Sequence, residues 1–354
     1  MKITTQELNR YNRHILLPEI GLEGQEKLKG AKVLVVGCGG LGCPVLQYLA
    51  AAGIGGLGII DHDIVEESNL QRQILFSTED TGKPKVLVAK DKLEKYNPFI
   101  KITTFNERLE VSNAIDIIGQ FEIIVDCSDN FSTRYLVNDA CVILGKPLVS
   151  GSIYKFEGQV TVFNYLNGPT YRCLYPNPPQ QEIVSNCSET GVLGTLTGLT
   201  GTLMANEVIK IIIGMGNVLS GELLTFDLLS SRFQTFEYKL EPKNKEITKL
   251  SPEYNTFCIG EIKEITPQEL KDKLLRNEPL QIIDVREPDE FLERNIGGML
   301  IPLGQLEKNM DKIKKDIPSV LVCRSGVRSM HAAKILQTHH YNNLYNLKGG
   351  LIKY

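Results

Sequence analysis

Residues 33–36, Val-Leu-Val-Val, run without a break into Gly37-Cys38-Gly39-Gly40-Leu41-Gly42, and residues 42–53 then carry a helical apolar pattern. An apolar run ending in a glycine-rich turn that opens a helix starts a βαβ unit, which commits the chain to a mostly parallel sheet covered by helices. Gly37, Gly39 and Gly42 match the spacing in which missing Cβ atoms let backbone N–H groups approach phosphates at a helix N-terminus. Asp61 closes the next strand roughly 20 residues on, where a carboxylate can accept hydrogen bonds from ribose hydroxyls. These residues call for a nucleotide and do not choose between NAD and ATP.

The alternation continues down the chain. After a short helix over Thr5–Asn12, strands are predicted at 32–36, 57–61, 100–105, 122–126 and 147–150, with helices at 42–53, 82–96, 111–118 and 132–144. Polar alternation around Gly158–Asn164 and Glu222–Tyr238 predicts antiparallel strands that extend the sheet, with a helix over Gly198–Ile213 between them. The fold class is therefore α/β, a Rossmann-like parallel sheet with an antiparallel extension. Residues 241–264 mix Pro, Lys, Asn and Glu without apolar periodicity and read as an exposed linker between a first domain, 1–240, and a small α/β domain, 265–354. In the latter, helices are expected at 267–276, 287–292 and 327–338 and strands at 280–285, 319–322 and 343–346.

Composition narrows the partners. The 354 residues are 42% hydrophobic and 23% charged, enough for two cores. Lys and Arg number 39 against 42 acidic residues, with no long basic run, so bulk charge selects neither nucleic acid nor an anionic membrane. A polar start over Met1–Arg13 and no uninterrupted apolar stretch of about 20 residues predict a cytoplasmic protein. Eight cysteines are too sparse for a disulfide scaffold, and Cys38 and Cys43 need only be small.

Arg72, Lys85 and Asp129 bear on the nucleotide's identity. Hydride transfer has no need of cations near phosphates, whereas displacement of pyrophosphate leaves charge that Arg, Lys and a metal must stabilise. On the residues alone, Asp129-Asn130 could equally cap the helix near Ser132.

The motifs together make a specific pattern: Arg10-Tyr11-Asn12-Arg13, GCGGLG at 37–42, Asp61, SNLQRQ at 68–73, Gly82-Lys83-Pro84-Lys85 and Asp126-Cys127-Ser128-Asp129-Asn130. In this the chain resembles the MoeB/ThiF/HesA family of ubiquitin-activating-like adenylyltransferases. The resemblance implies that Gly40, Asp61 and the Ser68-Asn69-Leu70-Gln71 run line an ATP site. By the same resemblance Arg72 and Lys85 hold the phosphates, and Asp129, with Asn130 beside it, coordinates Mg²⁺. Arg13 resembles the arginine that reaches this site from the neighbouring subunit in homodimeric members. A homodimer is implied, to which the Leu203–Ile213 segment contributes or for which it is simply core.

Cys187, in the polar loop Asn186-Cys187-Ser188, aligns with the cysteine that in similar members receives the activated carboxyl group or bridges to it through sulfur. An inert loop thiol is the alternative. Many members bind structural zinc through two Cys-x-x-Cys pairs, and this chain departs from them. Thr170-Tyr171-Arg172-Cys173 and Asn255-Thr256-Phe257-Cys258 each retain one cysteine, so no zinc is expected.

In the second domain a strand ends in Cys323-Arg324-Ser325-Gly326-Val327-Arg328-Ser329, placing a thiol among backbone N–H groups, near a helix dipole and two arginines, where a thiolate is favoured. The loop, with Asp284-Val285-Arg286, Ile301-Pro302 and Leu347-Lys348-Gly349-Gly350, resembles rhodanese-type sulfurtransferases, in which the cysteine carries a persulfide. Four residues separate Cys323 from Arg328, one fewer than the phosphatase Cys-x5-Arg loop.

Joined, the two resemblances imply ATP-dependent adenylation of the C-terminal glycine of a small ubiquitin-like sulfur-carrier protein ending in Gly-Gly. Sulfur from a Cys323 persulfide, charged by a donor such as a cysteine desulfurase, then gives a thiocarboxylate. The product could feed molybdenum cofactor, thiamine, cysteine or tRNA thiolation. An NAD-dependent oxidoreductase and a non-catalytic binding module for ubiquitin-like proteins are the rival readings.

Overall fold

In a computed structural model, described over residues 2–177, 191–252, 254, 262–315, 317–339, 341 and 343–354, the strand leading into the glycine turn lies inside a large sheet. Strands β1 (Lys32–Val36), β2 (Gly56–Ile60), β3 (Lys101–Phe105), β4 (Ile123–Asp126) and β5 (Leu148–Tyr154) are parallel. β6 (Glu157–Phe163), β7 (Glu222–Asp227) and β8 (Arg232–Glu237) continue it antiparallel, in the order β3-β2-β1-β4-β5-β6-β7-β8. Val33 to Val36 are buried because helices cover both faces, which is why this strand reads as a continuous apolar run. From β1 the chain crosses to β2 and β3 on one side and returns to β4 on the other. That reversal opens a crevice at the carboxyl ends of β1 and β4, where doubly wound sheets bind ligands.

The Gly194–Ile213 helix packs on the Gly42–Ala52 helix and on β5 and β6. By length and composition it could cross a membrane, yet half of it is buried in this core, and Glu207 pairs with Lys210 along it. A helix over Gly21–Gly30, not predicted from the sequence, rests against its far end, where Lys27 Nζ donates to the Ile213 carbonyl at 3.5 Å. Glycines at 21, 24 and 30 disguise it as a loop.

The chain divides into two compact units, Met1–Tyr254 and Asn255–Tyr354. The second has a parallel sheet of β9 (Lys263–Ile265), β10 (Gln281–Asp284), β11 (Met299–Leu300), β12 (Ser319–Val322) and β13 (Leu344–Leu347), ordered β11-β10-β12-β13-β9. Its strands alternate between two cores. Ile283 and Leu321 face Ala332 and Leu336 of the Val327–Thr338 helix, while Ile282, Val320 and Val322 meet Leu270 and Leu351. The antiparallel extension and the second α/β unit are as the sequence predicts.

Candidate active sites

Sterics shape the glycine turn. At Gly37, φ is +94° and a Cβ would lie 2.9 Å from the Cys127 carbonyl oxygen; at Gly42 it would lie 2.1 Å from the Gly37 carbonyl oxygen. Only glycine lets the turn close on itself and press against the loop after β4. Gly40 is roofed by Thr197, whose Cγ2 is 2.9 Å from the position of a Cβ, and flanked by Arg72 Cγ at 3.6 Å. Gly39 has more room, its nearest neighbour being Gln73 Nε2 at 3.7 Å.

Asp61, half-buried just past β2, accepts from Cys38 N at 2.7 Å and Asp63 N at 2.8 Å, which ties it to the glycine turn. Lys85 opens the Lys85–Tyr96 helix with its side chain buried and its ammonium donating to Asp63 Oδ2 at 2.9 Å. Burial pulls the Lys85 pKa down, but the attraction of Asp61 and the hydrogen bond to Asp63 outweigh it, so the ammonium stays charged. Arg72 donates through Nη2 to Asn69 Oδ1 at 2.7 Å and through Nη1 to the Ser68 carbonyl at 3.3 Å. Ser68 and Asn69 are themselves held by Glu66 Oε2 at 3.3 and 3.1 Å, Leu70 packs on the core, and the Gln71 carbonyl lies beneath Gly194.

Asn130 is the N-cap of the Phe131–Leu144 helix, its Oδ1 accepting from Thr133 N at 2.9 Å and Ser132 Oγ at 3.1 Å. Asp129 is exposed, touched by Asn130 Nδ2 at 3.5 Å, and caps nothing. An exposed carboxylate at this strand end fits a hard cation with oxygen ligands such as Mg²⁺. Arg13 lies on the last turn of the Thr5–Ile15 helix, exposed, and takes no part in these contacts.

Four residues of this site are given no role by the sequence, although Gln73 and Asp126 stand within its motifs. Gln73 is buried with Oε1 lacking a partner among the described residues, and Thr197 closes over Gly40. Arg134 donates to the Ser128 carbonyl at 3.1 Å, and Asp126, 1% exposed, accepts from Ser128 N at 2.9 Å and Oγ at 2.6 Å. Burial lifts the Asp126 carboxyl above its ordinary value against the pull of Arg134 and Ser128. The available signal was Arg134 itself, a cation in the first turn of a helix, where the dipole disfavours it.

Cys187 and Cys258 lie outside the described residues. Cys173 Sγ accepts from Thr170 N at 3.3 Å, Glu241 N at 3.4 Å and Asn244 Nδ2 at 3.5 Å. Burial pushes this thiol up, but the bonds from Thr170, Asn244 and Glu241 together bring it below the ordinary value. Cys173 is the one cysteine in this set of contacts among the described residues, whereas a closed tetrahedral zinc site needs four N or S ligands. Cys38 and Cys127 are buried with pKa values pushed well up, Cys38 chiefly by its bond with Cys43 and Cys127 by burial, so both are inert thiols.

Cys323 follows β12, 1% exposed. Its Sγ accepts from Gly326 N at 3.2 Å and lies 3.2 Å from Ser329 Oγ, which donates to Asn346 Oδ1 at 2.6 Å. At Gly350, φ +62°, a Cβ would lie 2.5 Å from the Arg324 carbonyl oxygen and 2.6 Å from that of Cys323, so the Gly349-Gly350 turn cradles the loop from behind. Of the two arginines of this loop, Arg328 is forked onto Glu290, while Arg324 is exposed and without a side-chain partner among the described residues.

A nucleotide crevice with a cationic wall and a separate cysteine cradle define a two-domain enzyme of group transfer. The ThiF family profile matches residues 11–248 and the rhodanese-like domain profile residues 266–354, and the chain belongs to the ThiF family, with a rhodanese-like domain. It is 41% identical to the probable adenylyltransferase/sulfurtransferase MoeZ of Mycobacterium tuberculosis, over 99% of this chain and 93% of that protein. Identity is 47% to the sulfur carrier protein adenylyltransferase of Thermus thermophilus, over 73% of this chain and 99% of that one. It is 40% to adenylyltransferase and sulfurtransferase MOCS3 of Drosophila persimilis, over 99% and 84%. Among solved structures, Escherichia coli MccB with MccA-N7isoASN superposes with a TM-score of 0.61 at 25% identity, over 70% of this chain and 75% of that one. These findings favour adenylation over the NAD-dependent reading, and the chain is an adenylyltransferase with a sulfurtransferase domain.

Proposed function

We propose that the first unit adenylates the C-terminal glycine carboxylate of a small ubiquitin-like sulfur-carrier protein ending in Gly-Gly, and that Cys323 then supplies sulfur to make a thiocarboxylate. The observation that carries this reading is the meeting, at the carboxyl ends of β1, β2 and β4, of the glycine turn with Asp61, Arg72 and Lys85, and with the loop bearing Asp129.

Gly37, Gly39, Gly40 and Gly42 give ATP's phosphates access to backbone amides, and Asp61 faces the ribose. Attack of one anion on another requires neutralisation and in-line placement, which fall to Arg72 and Lys85. Lys85 exchanges Asp63 for a phosphate oxygen on binding. Asp129 would hold Mg²⁺, which when bound neutralises charge on the departing pyrophosphate. Residues 68–71 fix Arg72, and Arg13 of a second copy completes the site in a homodimer.

The persulfide on Cys323 attacks the acyl-adenylate, AMP leaves and an acyl disulfide forms. A thiol, Cys187 in this reading, then attacks the Cys323 sulfur, the thiocarboxylate leaves with the electron pair of the broken S–S bond, and an external thiol reduces the disulfide that remains. A cysteine desulfurase is the expected class of persulfide donor. Zinc has no role in this scheme, and elemental analysis showing one zinc per chain would refute that part.

ATP–pyrophosphate exchange dependent on a Gly-Gly carrier tests the reading directly. Exchange that appears only with carrier supports it. Nucleotide binding with no exchange for any carrier would leave a binding module instead, and nicotinamide binding in the crevice an oxidoreductase.

A further inference from the structure

Cys323 Sγ has two polar contacts among the described residues, the Gly326 amide at 3.2 Å and the Ser329 hydroxyl at 3.2 Å. That hydroxyl has a second neighbour, Asn346 Oδ1 at 2.6 Å. Ser329 lies on the first turn of the Val327–Thr338 helix, and Asn346 on β13 stands opposite Leu321 of β12, so three elements bring the trio together. All three residues are buried, Ser329 completely. A serine carries one hydroxyl proton, and here two acceptors claim it. Which one wins depends on the charge on sulfur. A neutral divalent sulfur is a weak acceptor and loses to an amide carbonyl, whereas a thiolate is a full anion and wins.

We propose that Ser329 and Asn346 form a two-position hydrogen-bond switch that follows whether Cys323 carries an outer sulfur. The inference rests on the reading of Cys323 as the sulfur carrier. With an outer sulfur attached, Sγ is a neutral member of the S–S bond, and the Ser329 proton points to Asn346. When the outer sulfur departs, the electron pair of that bond stays on Sγ, and the hydroxyl turns to the new thiolate beside the Gly326 amide. Ser329 touches the reacting atom and is a catalytic residue of the transfer; Asn346 acts through it and is a positioning residue. The charged groups that border the loop are Arg324, Arg328 with Glu290 on it, the Asp284–Arg286 pair closing β10, and Lys348 paired with Glu264. Substituting Ser329 or Asn346 leaves every one of them in place.

The test loads the full chain with inorganic polysulfide and discharges it with cyanide in a single turnover, reading thiocyanate. Cyanide carbon attacks the outer sulfur, a C–S bond forms, the S–S bond breaks with its electron pair going to Sγ, and thiocyanate leaves. Ser329→Ala should slow this step about tenfold at constant pH. It should also move the pH midpoint of Cys323 alkylation by iodoacetamide, followed on its own peptide by mass spectrometry, up by about one unit. Asn346→Leu keeps the bulk and removes the competing acceptor, so it should move both readouts the other way, by about threefold and about half a unit. A merely structural pair would slow both variants alike, and opposite signs are what a switch requires. Either variant decides by itself: an unmoved Ser329→Ala, or an Asn346→Leu chain that discharges more slowly than the wild type, overturns the proposal. If mass spectrometry finds no persulfide on Cys323 of the wild type, the carrier reading fails and the switch with it; a persulfide that forms normally with unmoved midpoints sinks the switch alone.

Discussion

Asn130 caps a helix and Asp129, one residue earlier, caps nothing, so mutation can separate their roles. Asn130→Ala should cost about 1 kcal/mol of stability, read as a lower thermal midpoint. Asp129→Ala should leave that midpoint unchanged and reduce pyrophosphate exchange by roughly 100-fold or more, because a group that neutralises leaving charge is lost. Equal effects of the two substitutions on melting would refute this division. At this scale the sequence announces side chains that sit in dense local motifs, Asp129 and Arg72 among them. Thr197 is silent, since its importance comes only from lying over a glycine distant in the chain.

A short element positions Lys85. Asp80 closes a capping box, accepting from Ser77 N and Ser77 Oγ at 2.8 Å each, and pairs with Lys92. Burial works to raise the Asp80 carboxyl, but Lys92 and Ser77 win and bring it from 3.8 to about 2. A depressed carboxylate stabilises the fold above its unfolded value and loses that contribution as pH falls through the folded one. About 2 kcal/mol should therefore vanish between pH 4 and pH 2. Asp80→Asn should flatten that acid limb in urea melts at successive pH; an identical slope would refute the assignment. Cys173→Ala should likewise destabilise by about 1–2 kcal/mol, from lost hydrogen bonds, with metal content unchanged by elemental analysis.

Long strands and helices at this level are legible because buried parallel strands are uniformly apolar and their partners amphipathic. β9 and β11 are not, for three and two residues carry no period, and the Gly21–Gly30 helix hides behind its glycines.

For the molecule as a whole, the two chemistries are separable. Cys323→Ala should keep carrier-dependent exchange and abolish thiocarboxylate formation, detected by mass spectrometry of the carrier; loss of exchange as well would contradict the two-site scheme. If Arg13 acts across a homodimer, mixing inactive Arg13→Ala and Asp129→Ala chains should restore part of the exchange, because one mixed site then holds both native residues. Failure to complement would place Arg13 outside the site. Class and the antiparallel extension were readable from the alternation of elements, whereas the strand order and the Glu290–Arg328 pair were not, because both depend on which distant segments meet.

Thr197 roofs Gly40, and the Gln71 carbonyl sits under Gly194. During translation the glycine turn leaves the ribosome long before the Gly194–Ile213 helix that covers it, so the turn is complete in sequence while its roof over Gly40 is still unmade.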